Sequence, residues 1–191
     1  AAGVGGERLH QHHDAGDLGE QHGHLQHVGR HQLDEHRLVE HDHHHAVNTS
    51  RSAFEAGLGI ELDPFQQRAF DALDAGSSVL VAAPTGAGKT LVAEYAIHRA
   101  LAEGGKVFYT TPLKALSNQK YGDFSRAYGS HRVGLLTGDN AVNGEAPIVV
   151  MTTEVLRNMI YARSPTLADL RYVVLDEVHY LQNRYRGAVW E

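Results

Sequence analysis

"SVLVAAPTGAGKTLVAEYAIHRALAEGG", residues 78–105, decides how this chain is read. Ser78 to Ala83 is a short apolar run of strand length. Pro84-Thr85-Gly86-Ala87-Gly88 follows as a turn. From Lys89 onward, Leu91, Val92, Tyr95, Ala96 and Leu101 recur at helical spacing until Gly104-Gly105 stops the helix. A strand, a glycine-bearing turn and a helix that opens on Lys-Thr form the context required of a phosphate-binding loop. Gly86 and Gly88 let the backbone wrap with its N–H groups turned inward, and the helix start adds partial positive charge. Lys89 is suited to the β- and γ-phosphates of a triphosphate, and the Thr90 hydroxyl to Mg2+. The motif opens on Ala83 where glycine is usual, a departure the loop geometry tolerates. A glycine-rich turn with an incidental lysine is the plain alternative; the full spacing and its context favour the phosphate site.

The same alternation continues outward. "KVFYTT" (106–111), "VGLLT" (133–137), "IVVMTT" (148–153) and "YVVLDE" (172–177) read as further strands. Pro112 opens a helix to about Tyr128, and "TEVLRNMIYA" (153–162) is a helix between the last two strands. Continuous apolar strands separated by helices predict an α/β fold with a mostly parallel sheet covered on both faces. Ligands in such sheets lie beyond the carboxyl ends of the strands. Asp176 and Glu177 sit at one such end. One carboxylate there suits Mg2+ and its neighbour suits the attacking water, because adjacent side chains at a strand end diverge. Alone, the pair reads as surface carboxylates; downstream of the phosphate loop it reads as the second half of a nucleotide site.

Composition separates two materials. Residues 1–47 use only nine residue types, hold 12 of the 15 histidines, and carry about −5 of the net charge of −6. All nine types have codons beginning with G or C, as expected of a GC-rich gene read in a shifted frame. Residues 1 to about 47 are therefore expected to be a mis-called extension. "HDHHH" (41–45) would chelate metal adventitiously. With few apolar residues and no aromatics, this segment cannot offset the cost of ordering its backbone, so residues 1–50 are expected to be disordered or loosely helical. The absence of cysteine excludes disulfides and suits the cytoplasm. No stretch reaches the length of a membrane span.

The motifs resemble those of superfamily-two DExH-type helicases. "DEVH" (176–179), "TPLKALSNQKY" (111–121), "GLLTGD" (134–139), "VMTTEVLRNMIY" (150–161) and "DEVHYLQNRYRGAVWE" (176–191) are similar to the DEVH branch related to exosome-associated RNA helicases. The resemblance covers roughly residues 58–191 and implies that residues 51–191 form the first RecA-like lobe of an ATP-dependent helicase. It implies ATP and Mg2+ as cofactors, with Lys89, Asp176 and Glu177 catalytic, and Thr90 and Asp176 holding the metal. Gln66 would read the adenine edge. Ile60 stands where the family often stacks an aromatic on the base. His179 would couple the nucleotide site to a second lobe. Thr111, Pro112, Lys114, Asn118, Gln119, Thr137, Gly138, Thr153 and Glu154 would line a track for single-stranded nucleic acid, RNA favoured over DNA. Taken without the family, most of these are turn and cap residues.

The resemblance further implies a second RecA-like lobe that supplies an arginine worth about 10³–10⁵ in rate. Arg184 and Arg186 are expected to contact neighbouring loops instead. In RecA-like sheets the strand after the acidic strand lies beside the phosphate-loop strand. An end at Glu191 is thus expected to leave "SVLVAA" with an open apolar edge, and the isolated chain marginally stable. The alternative function is an inactive nucleotide-binding remnant with no unwinding.

Overall fold

The computed structural model describes residues 50–182. The chain divides into two units, Ala1–Ala46 and Val47–Glu191. The expectations for residues 1–49, and those for Arg184 and Arg186, lie outside the described residues.

Helix α1 (residues 50–58) leads into α2 (Pro64–Asp74) and α3 (Lys89–Ala102). Then come β1 (Lys106–Thr111), α4 (Lys114–Tyr128), β2 (Val133–Leu136), β3 (Ala141–Val142), β4 (Ile148–Thr152), α5 (Thr153–Tyr161) and β5 (Leu170–Leu175). The strands form one sheet in the order β3-β2-β4-β1-β5. β1 runs parallel to both β4 and β5, β2 runs parallel to β4, and only the two-residue β3 is antiparallel.

Helices cover both faces, which is why β1 and β4 are almost wholly buried and apolar through Val107–Tyr109 and Ile148–Met151. On one face Ile97 and Ala100 of α3 and Phe124 of α4 pack on Val107, Tyr109, Val133, Ile148 and Val150. On the other, Leu156, Val155 and Met159 of α5 pack on Phe108, Val149 and Met151. A third cluster joins α1, α2 and α3, with Phe70 stacked on Tyr95 at 4.0 Å between ring centroids. Beside it, the Arg99 guanidinium donates to the Leu73 carbonyl (2.7 Å), Asp74 Oδ1 (2.9 Å) and Glu103 Oε1 (2.9 Å). Arg51 reaches Asp74 from α1 at 3.1 Å. These charge-assisted bonds fasten the end of α2 to α3.

The α/β architecture agrees with the sequence. One expected strand does not: among the described residues, 78–83 belong to no ladder. A strand exists only through its neighbour's N–H and C=O groups, and no described strand lies beside this segment. Its alternation survives. Val79 and Val81 turn into the third cluster, while Leu80 is 81% exposed. Among the described residues β5 is likewise paired on one side only, and Val173 and Leu175 are 43% and 45% exposed. β5 also begins and ends two residues earlier than expected, so Asp176 and Glu177 lie just beyond the strand.

Candidate functional site

The chain path dictates where the two halves of the nucleotide site lie. α3 has 14 residues and β1 has six, so each is about 20 Å long from their characteristic rises. The tight turn at Gly104-Gly105 sends β1 back along α3, whose end it leaves, and α3 packs on β1 and β5. The start of α3 therefore lies at the end of the sheet where β1 finishes. β5 runs parallel to β1, so Asp176 and Glu177 emerge at that same end. So do the residues after β2 and β4, since these strands run the same way.

In the phosphate loop, Gly86 and Gly88 have φ of +83° and +79°, a conformation that side chains with a Cβ resist. A Cβ at Gly86 would meet nothing within 4 Å, so the hollow above the loop is open. Gly88 is different: its Cβ would stand 2.7 Å from Gln66 Nε2. The Lys89 ammonium donates to the carbonyls of Ala83 (2.7 Å) and Pro84 (2.9 Å), folded back on its own loop. Thr90 is exposed in the first turn of α3.

Gln66, expected to read the adenine edge, is engaged within the protein. It is 4% exposed; Nε2 donates to the Gly88 carbonyl (3.1 Å) and Oε1 accepts from the Asp63 N–H (2.9 Å). Both ends of the amide are engaged in bracing the start of α2 against the phosphate loop. Ile60, expected on the base, is exposed.

The acidic tip is held from β1. The Asp176 N–H donates to the Thr110 carbonyl at 2.9 Å. The Tyr109 hydroxyl donates to Asp176 Oδ2 at 2.6 Å, and the Glu177 N–H to Oδ1 at 2.9 Å. Burial and this bond to a carboxylate push the Tyr109 hydroxyl far above the ordinary phenol range, so it stays a donor. Glu177 has φ of +57°, a strained value for a residue with a Cβ. Its Oε2 lies 3.0 Å from His179 Nδ1, so His179 touches the very carboxylate it follows.

The residues expected to line a nucleic-acid track lie at the ends of β1, β2 and β4 or just after them, and not every one of them faces out. The Thr111 hydroxyl shares a hydrogen bond with Ser117 (2.8 Å). The Thr137 hydroxyl donates to Asp139 Oδ1 (3.0 Å), and that of Thr153 to the Thr111 carbonyl (3.3 Å). These three threonines are buried, and their hydroxyls are engaged within the loops. Lys114, Asn118, Gln119, Gly138 and Glu154 are exposed, and Pro112 is half-buried. Lys114 pairs with Asp139, and this bond first, with the one from Thr137, holds the Asp139 carboxyl below its usual range.

The donors present suit Mg2+ and a triphosphate. Each Asp176 oxygen accepts one hydrogen bond and keeps a further lone pair, and Thr90 offers a hydroxyl, both hard oxygen donors. Among the described residues no group of three or more His, Cys, Asp or Glu could form an all-protein cage. That fits a metal held mainly by phosphate oxygens and water.

Residues 63–191 match the DEAD/DEAH box helicase family. The chain belongs to that family. A DEAD/DEAH box helicase is an ATP-using enzyme, and curated relatives carry helicase names. Over 138 residues this helicase segment is 66% identical to a probable helicase HelY of Mycobacterium tuberculosis, covering 72% of this chain and 15% of the relative. It is 55% identical to the chloroplastic DExH-box ATP-dependent RNA helicase DExH15 of Arabidopsis thaliana, covering 69% and 12%. It is 49% identical to the antiviral helicase SKI2 of Saccharomyces cerevisiae, covering 69% and 10%. The chain thus spans about a tenth to a seventh of these relatives' length. A hypothetical ATP-dependent RNA helicase from Sulfolobus tokodaii shares the fold, with a TM-score of 0.55 at 22% identity over 75% of this chain and 45% of that one. Among the described residues of this helicase chain, no helix is long and apolar enough to cross a membrane.

Two contacts in this site were not foreseen in the sequence: the bracing bond of Gln66 and the bond from Tyr109. The bracing role of Gln66 had a signal: Asp63 followed three positions later by Gln, ahead of an apolar run, is a capping-box signature. Tyr109 had none, since an aromatic within an apolar strand ordinarily means core.

Proposed function

We propose that residues 51–191 are the ATP-binding lobe of a nucleic-acid helicase acting on single-stranded nucleic acid, RNA favoured, with Mg2+ as metal cofactor and a cytoplasmic location. The observation that carries this is the parallel sheet, which brings the 84–88 turn and the 176–177 tip to one end. In this reading the backbone N–H groups of residues 85–88 cradle the triphosphate. Lys89 exchanges the Ala83 and Pro84 carbonyls for phosphate oxygens, a motion the open hollow at Gly86 allows. Thr90 and Asp176 hold the metal, which when bound neutralises charge developing on the phosphates. Glu177 polarises the attacking water, and its contact with His179 ties that carboxylate to the rest of the helicase.

Strand contacts fall to Lys114, Asn118, Gln119, Gly138 and Glu154, with Pro112 and the three buried threonines shaping the loops. Strands β2 to β5 are three spacings apart, about 14 Å, so the track and the acidic tip are neighbours without overlapping. The RNA preference rests on the printed names of relatives such as DExH15. Full hydrolysis depends on an arginine from a second lobe.

The test is binding of a fluorescent ATP analogue to the chain. Lys89→Ala is expected to weaken it at least tenfold, since a charge-assisted hydrogen bond to phosphate is worth about 1.5–3 kcal/mol. Affinity unchanged in Lys89→Ala would defeat the site.

A further inference from the structure

Tyr109 is buried to 1% exposure in the middle of β1, yet its hydroxyl does not end in the core. It crosses to Asp176 Oδ2 at 2.6 Å. The ring cannot easily turn away. Phe124 of α4 packs edge-on at 5.0 Å between centroids, and the Lys120 ammonium lies 5.6 Å from the ring centroid. Main-chain pairing supports the same junction, with Tyr109 opposite Val174 and Asp176 bonded through its N–H to Thr110.

A free carboxylate at a strand end rotates about two side-chain bonds. Here one oxygen is fixed by the phenol and the other by the Glu177 N–H, so both rotations are stopped while each oxygen keeps a lone pair directed outward. The phenol also suits the task chemically. It donates one hydrogen bond without adding a charge that would compete with a cation for the carboxylate.

We propose that Tyr109 is a positioning residue for magnesium: it holds Asp176 in the orientation from which the carboxylate reaches the metal of a bound nucleotide. This rests on the reading of Asp176 as a metal residue. Partners that orient a metal-binding group in this way are worth about 10- to 100-fold in metal affinity.

The experiment titrates a fluorescent ATP analogue onto the full chain, first in EDTA and then across Mg2+ concentrations, for the wild type and Tyr109→Phe. The expected result is metal-free affinity within about twofold of wild type, with half-saturating Mg2+ raised at least about tenfold. A purely structural role would weaken both conditions alike, and that outcome overturns the proposal. So does a variant whose Mg2+ dependence matches wild type. If the wild type itself shows no Mg2+ dependence, the reading of Asp176 fails and takes this proposal with it; a wild type that responds while the variant does not differ sinks Tyr109 alone.

Should Tyr109→Phe fail to fold by circular dichroism, the same point is read with tyrosine labelled with carbon-13 at Cζ. The chain then carries Tyr180→Phe and Tyr185→Phe, to silence the tyrosines of the 176–191 motif. A tyrosine resonance that moves with Mg2+ and ATP analogue together, and not with the analogue in EDTA, supports the proposal; no such resonance overturns it.

Discussion

Gln66→Ala separates two roles for this glutamine, because they affect different quantities. The structure gives Gln66 two hydrogen bonds, to the Gly88 carbonyl and from the Asp63 N–H, at a position with 4% exposure. Each such bond contributes about 0.5–1.5 kcal/mol net, and removal leaves the carbonyl and N–H to find other partners. The expected loss is about 2 kcal/mol of folding stability, read as a lower urea midpoint at unchanged slope. The loop loses its brace as well, so triphosphate binding weakens whatever the base. Fluorescent ATP and GTP analogues are expected to lose affinity by similar factors. Gln66→Glu is expected to be worse, because a carboxylate would face the Gly88 carbonyl oxygen. If stability is unchanged while ATP binding falls tenfold or more and GTP binding is untouched, the amide reads adenine after all and the bracing account is wrong.

Two further outcomes follow from the helical layer. Arg99→Met removes the guanidinium bonds to Leu73, Asp74 and Glu103 while Arg51 and Tyr95 still hold Asp74, and should cost about 1.5–3 kcal/mol; denaturant melts check it. Glu94 sits partly buried in α3, and burial raises its carboxyl pKa against a smaller opposing pull from Lys120. A carboxyl whose folded pKa is raised binds protons more readily when folded, so its charge penalises the fold at neutral pH and the penalty disappears as pH falls. Glu94→Gln should therefore raise the melting temperature at pH 7, and the gain should vanish near pH 4, around the ordinary glutamate value.

Much of this fold was legible because β1 and β4 are buried on both faces, and a strand in that situation must be an unbroken apolar run. Residues 78–83 carry the same local pattern and form no ladder, since pairing is decided by a neighbour distant in sequence. The period-two burial of Val79 and Val81 shows what the pattern does encode, which is a preference for extended backbone with one apolar side. The phosphate loop and acidic tip were readable for the opposite reason: both depend on short contiguous segments whose spacing is the chemistry. The burial of Thr111, Thr137 and Thr153 was not legible, because a hydroxyl looks alike in sequence whether it faces a ligand or a neighbouring loop. The link from Tyr109 to Asp176 spans 67 positions, and no local window contains it.

The opposite rim of the sheet has its own character. There Glu145 accepts from Lys106 at 2.6 Å and from Thr166 at 2.8 Å, lashing together the entrances of β1, β4 and β5. Asn143, Arg163 and Asp169 take left-handed turns in the same connections. The phosphate turn and the acidic tip lie at the other end of the sheet, so this rim serves as a handle. A dye, tag or surface tether placed on Ala168, exposed just before β5 with an ordinary φ of −62°, would sit a full strand's length, about 20 Å, from the phosphate turn. The molecule can be gripped from behind while its working end stays clear.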